Sequence, residues 1–327
     1  MKNRIDYVIK NFDFESIRTN YRDKKLQLSS GTFKNFFTSL SDSLFVNYHS
    51  DLIEFLEECS YPNIREGLDN FNAFLTSGHT QIADYITSSS YKIPVWEFIK
   101  SIALESQYYY KSEFSRIKNI FKPTANSENH FTKIRLLFYL QNIAELNKYQ
   151  TTFCSINEII ELFGKAGYGN DILLAELTEL LSFKLIETKA SQSDIEKESI
   201  LDINTEIRIT QAGNYYITKL ITRFHYLDLV VQDTPIFDEY YFERIKESFP
   251  EVDSYGERDI QYRLITVATF IEYLKKREWF DHTKNELNYG HKILDLDIID
   301  FIERTGLEMD IERIEKRKSQ PLTMHKK

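Results

Sequence analysis

The sequence is poor in the residues that break a chain or staple it. Only 10 Gly and 6 Pro occur in 327 residues, which favours long helices over a turn-rich sandwich or barrel. Cys59 and Cys154 are the only cysteines. Two thiols so far apart make neither a disulfide framework nor a four-thiolate metal site, and a reducing cytoplasm is the simplest compartment. No run of 18 apolar residues occurs, so neither a membrane-spanning helix nor a membrane partner is expected. The opening MKNRIDYVIKNF is amphipathic and charged, without the apolar centre of a signal peptide. Basic charge is short as well: 41 Lys and Arg stand against 50 Asp and Glu, a net charge of −9. A free-standing nucleic-acid binder usually carries a basic stripe, so DNA contact here would have to rest on a local patch.

Motifs for chemistry are missing too. There is no G-x-x-x-x-G-K-[ST] loop. The nearest string is GKAGYG (164–169), where Lys165 precedes the later glycines and no Ser or Thr follows. It joins two predicted helices, whereas a phosphate cradle needs backbone N–H groups opening a helix after a strand; it reads as a turn. His49, His79, His130, His225, His282, His291 and His325 are scattered, with no H-E-x-x-H and no close Cys/His set. Paired acids such as Glu57–Glu58 or Asp295–Asp297 are ordinary on helix faces, and no glycine elbow surrounds a serine. No catalytic residue, metal or cofactor is expected, and the chain reads as a non-enzyme.

What is present is apolar periodicity. The 21 Tyr and 24 Phe are expected to fill helix–helix contacts; stacking platforms for nucleic acid would need basic residues interleaved with them. Residues 1–121 read as a bundle of short helices without strands. Ile5, Val8 and Ile9 share one face, and a polar connection runs through Arg22–Lys25. Phe33, Phe36, Phe37, Leu40 and Leu44 follow i, i+3, i+4, i+7 spacing, and Leu52, Phe55 and Leu56 begin another helix. Ile64, Leu68, Phe71 and Leu75 form a stripe that stops at Gly78. One more helix opens near Pro94.

The polar stretch KPTANSENH (122–130) is the expected linker. Residues 131–224 differ in kind: a helix, a second helix with Ser155 and Glu158 in capping-box spacing, a tight glycine turn, and a third helix capped by Asn170. A hairpin with a long loop (Lys189–Asn204) follows, its second strand marked by alternating Ile207 and Ile209, and then a helix from about Gln211. That order is a winged helix-turn-helix. Residues 225–327 read as a helical extension broken at Pro235 and Pro250, with a frayed charged tail. The expected fold class is mostly α, with one small β-hairpin.

Within the first bundle, SYPNIREGLDNF places Arg65 on the first turn of a helix. Asn63, Arg65, Gly67 and Leu68 match the form G-[ND]-x-R-x-[AG]-L, with Pro62 or Tyr61 where its first glycine would stand. In this stretch the chain resembles the lid of AAA+ and STAND-like P-loop ATPases, where that helix carries the sensor-2 arginine. A lid followed by a winged helix is the arrangement of the origin-recognition branch. The resemblance covers residues 1–224. It implies that Arg65 senses a nucleotide γ-phosphate, paired bonds being available to a guanidinium that stays charged. The core that would hold the nucleotide is absent from the chain, so either it lies on another polypeptide or the gene is a fragment or relic; a protein partner is expected, an ATPase core or a second copy of the chain. Without such a core, Arg65 is an exposed cation with Asp69 four residues on.

DNA binding is the alternative. The third helix of the winged helix would enter the major groove, yet it carries Asp171, Glu176 and Glu179, with Lys184 only at its end. The loop after it mixes Lys189 and Lys197 with Asp194, Glu196 and Glu198. Candidate DNA or partner contacts are Lys133, Arg135, Lys165, Arg208, Lys219 and Arg223.

Overall fold

The computed structural model describes residues 7, 10–11, 19–21, 24–26, 30–42, 50–60, 64–80, 93–125, 127–146, 152–189, 201–249, 259–284 and 294–319. The expected helical face at Ile5, Val8 and Ile9, the motif positions Tyr61, Pro62 and Asn63, most of the long hairpin loop, the break at Pro250 and the last eight residues lie outside them. The described chain is mostly helical, with little strand. It divides into two units: Met1–Tyr108 with Ser115–Ile117, and Tyr109–Phe114 with Lys118–Lys327.

In the first unit a short antiparallel pair, β1 (Thr19–Tyr21) and β2 (Lys24–Leu26), precedes the helices. The sequence suggested no strand here; at three residues each, the period-two alternation that marks a strand has no room to register. The helices are α1 (Ser30–Ser41), α2 (Ser50–Ser60), α3 (Ile64–Thr76) and α4 (Val95–Leu104). Phe55, Phe74 and Phe98 are fully buried where α2, α3 and α4 meet. Phe74 stacks on Phe98 at 4.8 Å, and Phe55 meets Phe98 edge-on at 6.0 Å. On α3, Gly67, Asn70, Phe71, Ala73 and Phe74 are buried, whereas Leu68 and Leu75 of the expected stripe are only half-buried. Gly78, with φ +79°, follows the helix end as expected.

The second unit is built around α5 (Thr132–Leu146). Its first turn is enclosed on every side: Phe131, Thr132, Lys133, Ile134, Arg135, Leu136 and Leu137 are all buried. Next come β3 (Cys154–Ser155), α6 (Ile156–Lys165), α7 (Asn170–Ser182), β4 (Ile186–Thr188) and β5 (Glu206–Ile209). The three strands form an antiparallel sheet in the order β3-β5-β4, with Cys154 opposite Ile207 and Ile186 opposite Ile209. Ser155 caps α6 by accepting from the Glu158 N–H at 3.2 Å. The Glu158 carboxylate accepts from the Cys154 thiol at 3.1 Å, where a reciprocal capping box would turn back to Ser155. Asn170 is the first residue of α7, and Gly169, which has no side chain to cap with, holds the cap position.

The sheet leads into α8 (Gln211–Tyr215), which runs on through a π-helical turn at Tyr216–Leu220. Gly213 is required there, because a Cβ on it would sit 2.2 Å from the Leu185 carbonyl oxygen. The remaining helices are α9 (Phe224–Val230), α10 (Glu239–Glu247), α11 (Ile260–Lys284), α12 (Ile298–Ile302) and α13 (Glu308–Ser319).

Two expected boundaries are not where composition put them. The stretch 122–130 is not a loose linker. Lys122 bonds Asp233 at 3.0 Å, Thr124 bonds Glu176, and His130 is 1% exposed. Nor does the chain divide between residues 224 and 225. The Phe224 N–H donates to Asp310 and Arg263 bonds Asp228 at 2.8 Å. Arg135 bonds the carbonyls of Leu294 and Leu296 and the Glu278 carboxylate. Residues from 118 to the last helix therefore share one core.

Candidate interaction surface

The α6–turn–α7 segment forms as its sequence dictates. Ile156, Ile159 and Phe163 on α6 and Leu173, Leu177 and Leu180 on α7 face inward. Gly167, at φ +89°, makes the reversal between them, and the Tyr168 N–H returns to the Phe163 carbonyl at 3.0 Å. GKAGYG is thus a helix-ending turn whose N–H groups are spent on the preceding helix.

With its apolar stripe inside, α7 turns Asp171, Ala175, Thr178 and Ser182 outward. Their spacing of four, three and four keeps them in one row. Together with Ile172 and Glu179, this row forms one wall of a groove of about 470 Å³; Thr124 and Ala125 form the other. At about 1.5 Å per residue, the row from Asp171 to Ser182 is about 16 Å long.

An interior ion cluster fixes the second wall. The Lys133 ammonium donates to the Lys122 carbonyl at 2.6 Å and forms ion pairs with Glu176 at 2.5 Å and Glu179 at 2.6 Å. Glu176 in turn accepts from the Thr124 N–H at 3.0 Å and the Thr124 hydroxyl at 3.2 Å. The groove and its support hold three carboxylates, Asp171, Glu176 and Glu179, against one ammonium, Lys133.

The other residues singled out in the sequence do not converge with these. Arg65 is exposed on the first turn of α3. Lys133 and Arg135 are each 1% exposed, a correction to their expected surface role; the burial of the first turn of α5 on all sides removes them from any external contact. Lys165 is exposed at the end of α6, and Lys219 is exposed on the π-helical turn. Arg208 lies on β5, bonded to Glu187 of β4 at 2.6 Å and stacked over the Phe153 ring at 4.7 Å. Arg223 faces Asp310 at 3.6 Å.

Sequence reasoning missed a second set of groups. His130 bonds the Phe121 carbonyl at 2.8 Å and the Tyr273 hydroxyl at 2.7 Å; that hydroxyl also accepts from the Phe237 N–H. A carbonyl only accepts, so Nδ1 carries the proton, and the neutral ring then accepts at Nε2 from the Tyr273 hydroxyl. Burial pushes it down to about 4, against a pull upward from the Phe121 bond. Glu278 accepts from Arg135 and from the N–H groups of Ile298 and Ile299, at the first turn of α12. Burial raises it to about 7, although Arg135 and the two amides pull the other way. Burial raises Asp281 to about 6 and the Cys154 thiol to about 12. Each of these groups is buried. Among the described residues, no three His, Cys, Asp or Glu side chains converge to hold a metal ion.

No protein-family model, curated protein or solved structure matches this chain.

Proposed function

We propose that the chain is a non-catalytic docking module of the kind that follows the nucleotide-binding core in P-loop ATPases. Its second unit carries a winged helix that contacts protein. The order α5, β3, α6, α7, β4, β5 supports the winged-helix reading, and α7 then holds the place of the recognition helix. The observation that carries the docking reading is the outward row of α7: Asp171, Ala175, Thr178 and Ser182, with Glu179 beside them. The carboxylates there repel a phosphate backbone and the row holds no cation to neutralise one, while winged helices also serve as docking faces. On the first unit, Arg65 is the residue that would reach a nucleotide held by a separate core.

The test uses the full chain as bait in lysate from its own source. A partner identified as a P-loop ATPase, held more tightly with ATP than with ADP and released at least tenfold by Arg65→Ala, supports the proposal. A shift of random duplex DNA whose log affinity falls steeply with log salt, and which weakens on charge reversal at Lys165 or Lys219, replaces it with the DNA-binding alternative. ATP turnover by the purified chain alone also overturns it.

A further inference from the structure

The geometry points to the groove between α7 and Thr124–Ala125 as the seat of a short, extended, cationic segment of the partner protein. This rests on the docking reading and assigns the partner's chemistry. Between the carboxylates the lining is apolar or small: Ile172, Ala175 and Ala125, with Thr124, Thr178 and Ser182. The fixed charge favours a cation. Glu176 and Glu179 share the single Lys133 ammonium, and Asp171 adds a third carboxylate along the groove, so the carboxylates outnumber the cation and the excess negative charge is open to neutralisation from outside. Glu179 remains 42% exposed despite its bond to Lys133, and Asp171 is exposed at the opposite end of the row.

Length narrows the occupant further. Asp171 and Glu179 are eight helical residues apart, about 12 Å. An extended strand covers that distance in about four residues, and its side chains at i and i+4 lie on one face. A segment with Lys or Arg four residues apart and small apolar residues between them fits both carboxylates and the lining between them. An anionic duplex backbone does not fit the charge.

The experiment pans a phage-displayed library of random dodecapeptides against the full chain, then measures the selected peptides by fluorescence anisotropy. The expected result is enrichment of peptides with two or more basic residues flanking small apolar ones. Their affinity should fall at least tenfold for Asp171→Lys and, separately, for Ala175→Arg. Both substitutions lie on the exposed row, and unchanged melting curves check that folding is intact. Selection of neutral or acidic peptides, no selection at all, or equal binding to Asp171→Lys overturns the inference. If the whole partner still binds Ala175→Arg at full strength, the groove assignment fails while the docking reading stands. If the chain shifts duplex DNA and holds no protein, the docking reading itself fails.

Discussion

Lys133 and Arg135 show how a single side chain can be misread and then explained. Both looked like surface cations, because the spacing of charged residues says nothing about a helix buried all round. What they do is satisfy interior carboxylates. Lys133→Ala leaves Glu176 buried without its counter-ion, and a loss of about 3–5 kcal/mol is expected in urea unfolding. Lys133→Met with Glu176→Gln removes both charges and keeps an acceptor for Thr124; it should recover most of that loss. The titratable groups make opposite contributions. His130 has its pKa lowered from 6.5 to about 4, so the unfolded chain binds more protons there and stability falls as pH drops through that window. At 1.36 kcal/mol per unit the effect is about 3 kcal/mol. Glu278 is raised from 4.5 to about 7, so its contribution is present below 4.5 and lost as pH rises to 7. Unfolding midpoints measured from pH 4 to 7 should lose the acid-side decline in His130→Gln and the neutral-side decline in Glu278→Gln. Neither slope was legible in the sequence, since both come from burial, which tertiary packing and not local spacing decides.

At the scale of elements the sequence was more readable, because caps and turns are local. Ser155, Gly78, the turn around Gly167 and the start of α8 after Thr210 follow from residue chemistry within four positions. The two-residue β3 and three-residue β1 and β2 were invisible for the converse reason: pairing, not propensity, defines them. Thr210 accepts from the Gly213 N–H at 3.1 Å, and Gly213 lies against the Leu185 carbonyl, so the sheet and α8 are locked at one point. Gly213→Ala must push that backbone apart, and a loss of about 2 kcal/mol or more is expected. Ser155→Ala, which only removes a cap, should cost about 1 kcal/mol. Thermal melts of the two variants side by side check the order.

For the whole molecule, composition suggested four segments and contacts define two units. A polar, Pro-containing stretch resembles a linker in sequence, but residues 122–130 make their bonds to Asp233, Glu176 and Tyr273, which no local pattern foretells. A fragment limited to residues 131–224 would expose Phe131, Phe224 and the fully buried face of α5. It should therefore aggregate or melt without cooperativity, whereas residues 109–327 should unfold in a single transition by circular dichroism.

The bond from Arg135 to the Leu294 carbonyl joins positions 159 residues apart. As the polypeptide leaves the ribosome, α5 emerges long before the segment that answers its guanidinium has been translated. Until then its cation must stay hydrated, which keeps the central helix from sinking into an apolar interior. The second unit is thus obliged to complete itself late, once Leu294 and Leu296 have been translated. A premature stop anywhere before Leu294 would release a chain with its middle unsealed, a natural substrate for chaperones and proteases.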